Sequence, residues 1–101
     1  MLQHGLLDNG RSWLINKDED SLALQLADAG YDVWMMNSRG TIDSNEHVDP
    51  HKNSVYKVKS DFWKFSWDSM AEYDVPANLK FILSRSKFDK VHYVGHSQGC
   101  T

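Results

Sequence analysis

The feature that most constrains the fold is a segment near the C-terminus, residues 91–99, which reads VHYVGHSQG. A short apolar run leads into the G-x-S-x-G pattern of a nucleophile elbow, a sharp turn between a strand and a helix that exposes a serine hydroxyl. Ser97 is expected to adopt a strained backbone conformation that tips its hydroxyl out of the turn. Side chains at Gly95 and Gly99 would collide with neighbouring backbone, so both positions require glycine. A helix after Gly99 would direct its first N–H groups towards developing negative charge.

Composition limits the classes of function. The chain has 101 residues, of which 41% are hydrophobic and 25% charged, and this length allows one domain at most. The net charge of −3 argues against nucleic acid as a partner. We expect neither a membrane span nor a signal peptide, because no sufficiently long apolar run occurs and the first residues lack a basic region. A single cysteine, Cys100, excludes an intrachain disulfide.

Two helices are predicted from apolar spacing and end signals. The first covers about 20–29, with Asp20 and Ser21 at its N-cap and Gly30 at its end. The second begins with Asp74 at or near the N-cap and ends near Ser86. Before it, Ser66 could cap a helical turn through Met70 and Ala71.

Strands are predicted before and between these helices. Residues 2–7 read as a strand end followed by a loop, and residues 31–36 suit a strand covered on both faces. Together with the strand that enters the elbow, this alternation is typical of an α/β fold with a parallel sheet.

Three polar or aromatic features leave alternatives open. Arg39 could bind an anionic substrate, but it is expected instead to tie its loop to carbonyls or a carboxylate. His47 and His51 have metal-ligand spacing, yet Pro50 between them favours a solvated loop over 41–60, and no metal site is predicted. The aromatic segment 61–67 could face lipid, although packing against the core is favoured.

Four stretches together resemble the acid lipase family of α/β-hydrolases. They read LQHGLLDNGRSW (2–13), SLALQLADAGYDVWMMNSRG (21–40), DFWKFSWDSMAEYDVPANLKFIL (61–83) and VHYVGHSQGCT (91–101). They cover most of the chain in the family's order. Ser69 replaces the more usual Glu, and Cys100 the usual Thr.

The resemblance implies a function and a set of site residues. Ser97 would be the nucleophile, and the backbone N–H groups of Leu6 and Gln98 would form the oxyanion hole. The reaction would be hydrolysis of neutral lipid esters, triacylglycerols or steryl esters, at a lipid–water interface and without a cofactor. An acyltransferase that uses the same acyl-serine is a close variant. The compartment stays open, because family members are mostly lysosomal or secreted and others lie on lipid droplets or membranes.

The triad is incomplete in this sequence. In α/β-hydrolases the order is Ser, then Asp or Glu, then His, so both partners should follow Thr101. We therefore expect a partial α/β-hydrolase fold, a parallel sheet with flanking helices, that stops after the elbow and is incomplete at both ends. Within the chain, His4 is the best candidate for a base but a poor one. His92 is expected to be buried in or beside its strand, and His96 to be packed and hydrogen-bonded.

The family topology places the strand before His4 between those at 31–36 and 91–96. The alternative function is a truncated, non-catalytic chain that binds lipid or a protein partner.

Overall fold

The computed structural model describes residues 1–49 and 61–101. Its sheet is formed by β1 (Leu2–Gln3) and β2 (Val94–Gly95), which run parallel with Leu2 opposite Val94. On its other side, Leu2 forms a single parallel bridge with Met35. The first strand therefore lies in the middle, as the family topology predicts.

The predicted strand over 31–36 is reduced to that one bridge. The Leu2 N–H donates to the Trp34 carbonyl at 2.8 Å, and the Met36 N–H donates to the Leu2 carbonyl at 3.0 Å. Because β1 is two residues long, only Leu2 presents backbone groups to this neighbour. The strand of the elbow is likewise shorter than 91–96 and comprises Val94–Gly95.

The first predicted helix is α1 (Leu22–Asp28), and glycine ends it. Gly30 has a φ of 90°, a left-handed conformation that suits a residue without Cβ. The Gly30 N–H donates to the Ala27 carbonyl, and the Tyr31 N–H donates to the Leu26 carbonyl, which is the Schellman arrangement. Ser21 lies at the N-cap, but its hydroxyl donates to the Trp13 carbonyl and makes no cap hydrogen bond.

The helical turn predicted after Ser66 is present, and it is continuous with the helix predicted from Asp74. A short helix α2 (Trp67–Ser69) continues through a π-helical turn (Met70–Asp74) into α3 (Val75–Arg85). Asp74 is therefore not an N-cap: its φ of −70° and ψ of −49° are helical, and its side chain caps nothing. Pro76 follows in the first turn of α3, and the wider π turn before it accommodates a residue that has no N–H to donate.

The remaining helical segments of the described residues are short 3₁₀ turns: Gly10–Leu14, Asp18–Asp20, Asp61–Trp63 and Ser97–Cys100.

A small apolar core joins the sheet to α3. Met1, Met36 and Ile82 are its buried members. Four partly buried side chains pack around them: Trp34, Val75, Leu79 and Val91. Within 1–49 and 61–101, no helix is both long and apolar enough to cross a membrane. The carboxyl ends of β1 and β2 lie side by side, so the loops that follow them meet at one edge of the sheet.

Candidate active site

Ser97 occupies the turn directly after β2. Its φ of 54° lies in the left-handed region, which costs a residue with Cβ about 1–2 kcal/mol. Its side chain is exposed, and none of the described residues forms a hydrogen bond with its hydroxyl. A 3₁₀ turn over Ser97–Cys100 follows, closed by a hydrogen bond from the Gly99 N–H to the His96 carbonyl. The helix after Gly99 stays a prediction, because only Cys100 and Thr101 follow that residue.

The glycines on either side of Ser97 allow backbone segments to approach closely. A Cβ at Gly95 would lie 2.2 Å from the Gly99 carbonyl oxygen. A Cβ at Gly99 would lie 2.6 Å from the Gln3 carbonyl oxygen and 2.9 Å from that of His4. Contacts this short do not occur for real Cβ atoms, so the turn and its contact with β1 both require glycine.

Tyr93, the residue before β2, stabilises the turn through a hydrogen bond. Its hydroxyl donates to the Gly99 carbonyl at 2.6 Å, a hydrogen bond that spans the whole elbow. Burial raises the pKa of the Tyr93 phenol, and the nearby Cys100 raises it further. The neutral phenol is therefore the form that the folded elbow favours.

The loop after β1 packs against Ser97. A Cβ at Gly5 would lie 3.0 Å from the Ser97 Cβ, so the Gly5 backbone touches the serine directly. Leu6 follows, with an exposed side chain, and within 1–49 and 61–101 no acceptor bonds its N–H. The predicted oxyanion residues Leu6 and Gln98 thus belong to two loops that meet beside Ser97.

His4 is buried beneath this loop, and both of its ring nitrogens are in use. Nδ1 lies 2.8 Å from the Gly5 carbonyl oxygen, and Nε2 accepts a hydrogen bond from the Ser38 N–H at 3.1 Å. A carbonyl can only accept and an N–H can only donate, so the ring is the neutral tautomer protonated on Nδ1. No lone pair remains to take a proton from Ser97.

A family model described as the alpha/beta hydrolase fold matches residues 1–101. The chain belongs to the α/β-hydrolase fold family.

Curated relatives within this α/β-hydrolase family resemble the whole chain. Gastric triacylglycerol lipase of Bos taurus is 52% identical and that of Rattus norvegicus 50% identical, each over 99% of this chain. Lysosomal acid lipase/cholesteryl ester hydrolase of Homo sapiens is 48% identical over 99% of the chain. The alignments cover 24% of each relative, so the chain spans about a quarter of their length. The resemblance to acid lipases that the motifs predict is confirmed.

A cleft of about 750 Å³ opens beside the elbow of this α/β-hydrolase chain. Leu6 and Gln98 both line it, whereas Ser97 itself does not. Apolar side chains of the aromatic segment and of the helical region after it also line the cleft: Trp63, Phe65, Trp67, Met70 and Val75. The aromatic segment thus packs over the loop at Gly40, where a Cβ would lie 2.9 Å from the Phe65 ring.

Arg39, which lines the cleft, is bound to Asp74 of the π turn. Its Nε donates to Asp74 Oδ1 and its backbone N–H donates to Asp74 Oδ2, both at 2.8 Å, and its Nη2 lies 2.7 Å from Oδ1. The guanidinium also lies 5.8 Å from the Phe65 ring centre and 5.7 Å from that of Tyr73. Arg39 therefore ties its loop to a carboxylate, the alternative that the sequence favours.

The other histidines differ from their predicted settings. His92 is exposed and meets Tyr31 edge to face, although its carbonyl accepts a hydrogen bond from the Met1 nitrogen at 2.7 Å. His96 is also exposed, and it meets the Trp13 ring at 6.5 Å without a side-chain hydrogen bond to any described residue.

His51 and Pro50 lie outside the described residues. In the part of the chain that is described, no group of three or more His, Cys, Asp or Glu side chains could hold a metal ion.

Sequence reasoning missed the roles of Tyr93 and His4. A tyrosine beside an apolar strand is a recognisable signal, since a partly buried phenol needs a partner for its hydroxyl. The partner of His4, by contrast, lies on a loop 34 residues away and carries no local signal.

Proposed function

We propose that these residues belong to a serine ester hydrolase that acts on neutral lipids, triacylglycerols or steryl esters, as part of a longer chain. The observation that carries the proposal is the left-handed Ser97 at a glycine-flanked turn, in contact with the Gly5 loop. The substrate class is supported by relatives named gastric triacylglycerol lipase and lysosomal acid lipase/cholesteryl ester hydrolase.

In the proposed reaction, the Ser97 oxygen attacks the ester carbonyl carbon and loses its proton to a base. The carbonyl oxygen becomes an oxyanion that accepts hydrogen bonds from the N–H groups of Leu6 and Gln98. One such donor contributes about 3–4 kcal/mol to the transition state. Collapse of the tetrahedral intermediate expels the alcohol, which takes a proton from the same base, and water then hydrolyses the acyl-serine.

The base is proposed to come from beyond Thr101. A serine hydroxyl is a weak nucleophile until a base removes its proton. Both nitrogens of His4 are engaged, and His96 makes no hydrogen bond with Ser97. The Ser–Asp–His order of α/β-hydrolases places the missing carboxylate and histidine later in the chain. On this proposal, residues 1–101 carry the nucleophile and oxyanion hole but are inactive alone.

The substrate would be met at a lipid–water interface, because neutral lipid esters are insoluble. Apolar side chains around the cleft support this setting: Leu6 is 64% exposed, Leu7 99%, Ile42 72% and Trp67 62%. These positions would contact lipid as the substrate enters the cleft.

The test is covalent labelling of the full-length protein with a fluorophosphonate, which reacts with activated serines. The expected result is label on the peptide that contains Ser97 and none in the matched Ser97→Ala variant. A folded full-length protein that stays unlabelled at Ser97 would refute the hydrolase and favour the alternative, a chain that binds lipid or a partner without catalysis.

A further inference from the structure

The peptide between Gly5 and Leu6 carries the proposed oxyanion donor. No cis peptide occurs among the described residues, so the Leu6 N–H points opposite to the Gly5 carbonyl in one rigid plane. Whatever fixes the direction of the Gly5 carbonyl therefore also fixes the direction of the Leu6 N–H.

Two donors hold that carbonyl. His4 Nδ1 lies 2.8 Å from the Gly5 oxygen, and the Asp8 N–H reaches it at 3.3 Å. The histidine contact is the shorter of the two, and the residue that makes it, His4, is 5% exposed. A buried ring has few alternative positions, so this hydrogen bond restrains the peptide more tightly than a loop N–H can.

Ser38 sets the form of the ring. Its N–H donates to His4 Nε2 at 3.1 Å, which leaves the only ring proton on Nδ1, facing Gly5. The Ser38 hydroxyl is in turn held by Gln3 Nε2 at 3.0 Å, and both of these side chains are buried. Ser38, in the loop after Met36, thus selects the His4 tautomer that donates a hydrogen bond to Gly5 in the loop after β1.

We propose that His4 is a positioning residue, which orients the Leu6 N–H of the oxyanion hole through its hydrogen bond to the Gly5 carbonyl. This inference rests on the proposed function, since it needs an ester whose carbonyl oxygen acquires charge beside Ser97. It assigns His4 no proton transfer.

A matched pair of variants separates the two hydrogen bonds of His4. The amide nitrogen of asparagine can take the place of Nδ1, so His4→Asn keeps a donor for Gly5 and loses the contact with Ser38. The amide oxygen of glutamine can take the place of Nε2, so His4→Gln keeps an acceptor for Ser38 and loses the contact with Gly5. Each variant removes one hydrogen bond of the same buried ring.

The assay is hydrolysis of a soluble p-nitrophenyl ester by the full-length enzyme. We expect His4→Gln to lower kcat about 30-fold or more with little change in KM, because a misaligned donor is lost mainly from the transition state. We expect His4→Asn to stay within about 3-fold of the unsubstituted kcat. Equal losses of kcat in the two variants would overturn the inference.

A second measurement does not depend on the fraction of folded enzyme. Replacing the ester carbonyl oxygen with sulfur gives a thionoester, which accepts weaker hydrogen bonds from an aligned oxyanion hole. The ratio of kcat/KM for the oxygen ester to kcat/KM for the thionoester therefore measures how well the two N–H donors are aligned. We expect His4→Gln to lower this ratio at least about 5-fold and His4→Asn to preserve it. An unchanged ratio in His4→Gln would overturn the inference even if that variant folds poorly.

Fluorophosphonate labelling separates the two ideas. If the unsubstituted enzyme is unlabelled at Ser97, the proposed function fails and the inference fails with it. If Ser97 is labelled but the two variants behave alike, only the role of His4 is refuted.

Discussion

Replacing Gly99 with alanine should damage the site more than the stability. The new Cβ would lie 2.6 Å from the Gln3 carbonyl oxygen, and an ordinary contact begins near 3.4 Å. Relief therefore needs a shift of about 0.8 Å between the elbow and the end of β1. That shift would separate Gln98 from Leu6, the two proposed oxyanion donors. A misplacement of this size can cost about 100-fold in rate, whereas overpacking typically costs about 1–3 kcal/mol of stability.

The measurement compares Gly99→Ala with Gly30→Ala in the full-length protein. Gly30 also has a left-handed φ, of 90°, but an added Cβ there meets nothing within 4 Å. Its replacement should cost about 1–2 kcal/mol through backbone strain alone and leave the site geometry intact. Urea denaturation gives the free energy of unfolding, and hydrolysis of a soluble ester gives kcat.

The reasoning is refuted if Gly99→Ala retains more than about a third of kcat, because the elbow and β1 then tolerate a shift that the site should not. It is also refuted if kcat falls in both variants in proportion to the free energy of unfolding. Gly30→Ala loses stability without a change at the site, so a proportional loss would mean that stability alone explains the lower kcat.

Two further predictions concern interactions that support the site. Asp74→Asn should lower the free energy of unfolding by about 2 kcal/mol in urea denaturation, because the partly buried Arg39 loses its charged partner; a loss below about 0.5 kcal/mol would contradict this. The pKa of Tyr93 is raised on folding by burial, so its stabilisation is complete below about pH 10 and disappears as pH rises through the folded pKa. Thermal melting against pH should show this alkaline loss in the parent and not in Tyr93→Phe, and identical alkaline profiles would contradict it.

The features that sequence predicts best are those with local causes. Gly30 ends α1 because the Schellman turn needs a left-handed residue at that position, and this requirement is visible in one window of sequence. The same holds for Gly95, where an added Cβ would meet the Gly99 carbonyl oxygen within the elbow itself, whereas the contact of Gly99 with Gln3 is long-range. The position of Ser97 could therefore be predicted without any long-range information.

The features that sequence predicts poorly are decided by distant partners. Asp74 has the type and spacing of an N-cap, yet Arg39, 35 residues away, binds its carboxylate and the helix runs through it as a π turn. Residues 31–36 have strand composition, but the number of ladder bonds depends on how many residues β1 presents to them. The tautomer of His4 depends on Ser38 in the same way.

The central position of β1 also sets an order of assembly. Leu2 pairs with Met35, 33 residues away, and with Val94, 92 residues away. Closing the longer loop costs about 0.9 kcal/mol more chain entropy than closing the shorter one. The Leu2–Met35 pairing is thus favoured to form first, and the elbow docks onto an edge that already exists. Because the elbow also leaves the ribosome after both of those segments, it is the last of these three segments to be placed, in synthesis as in folding.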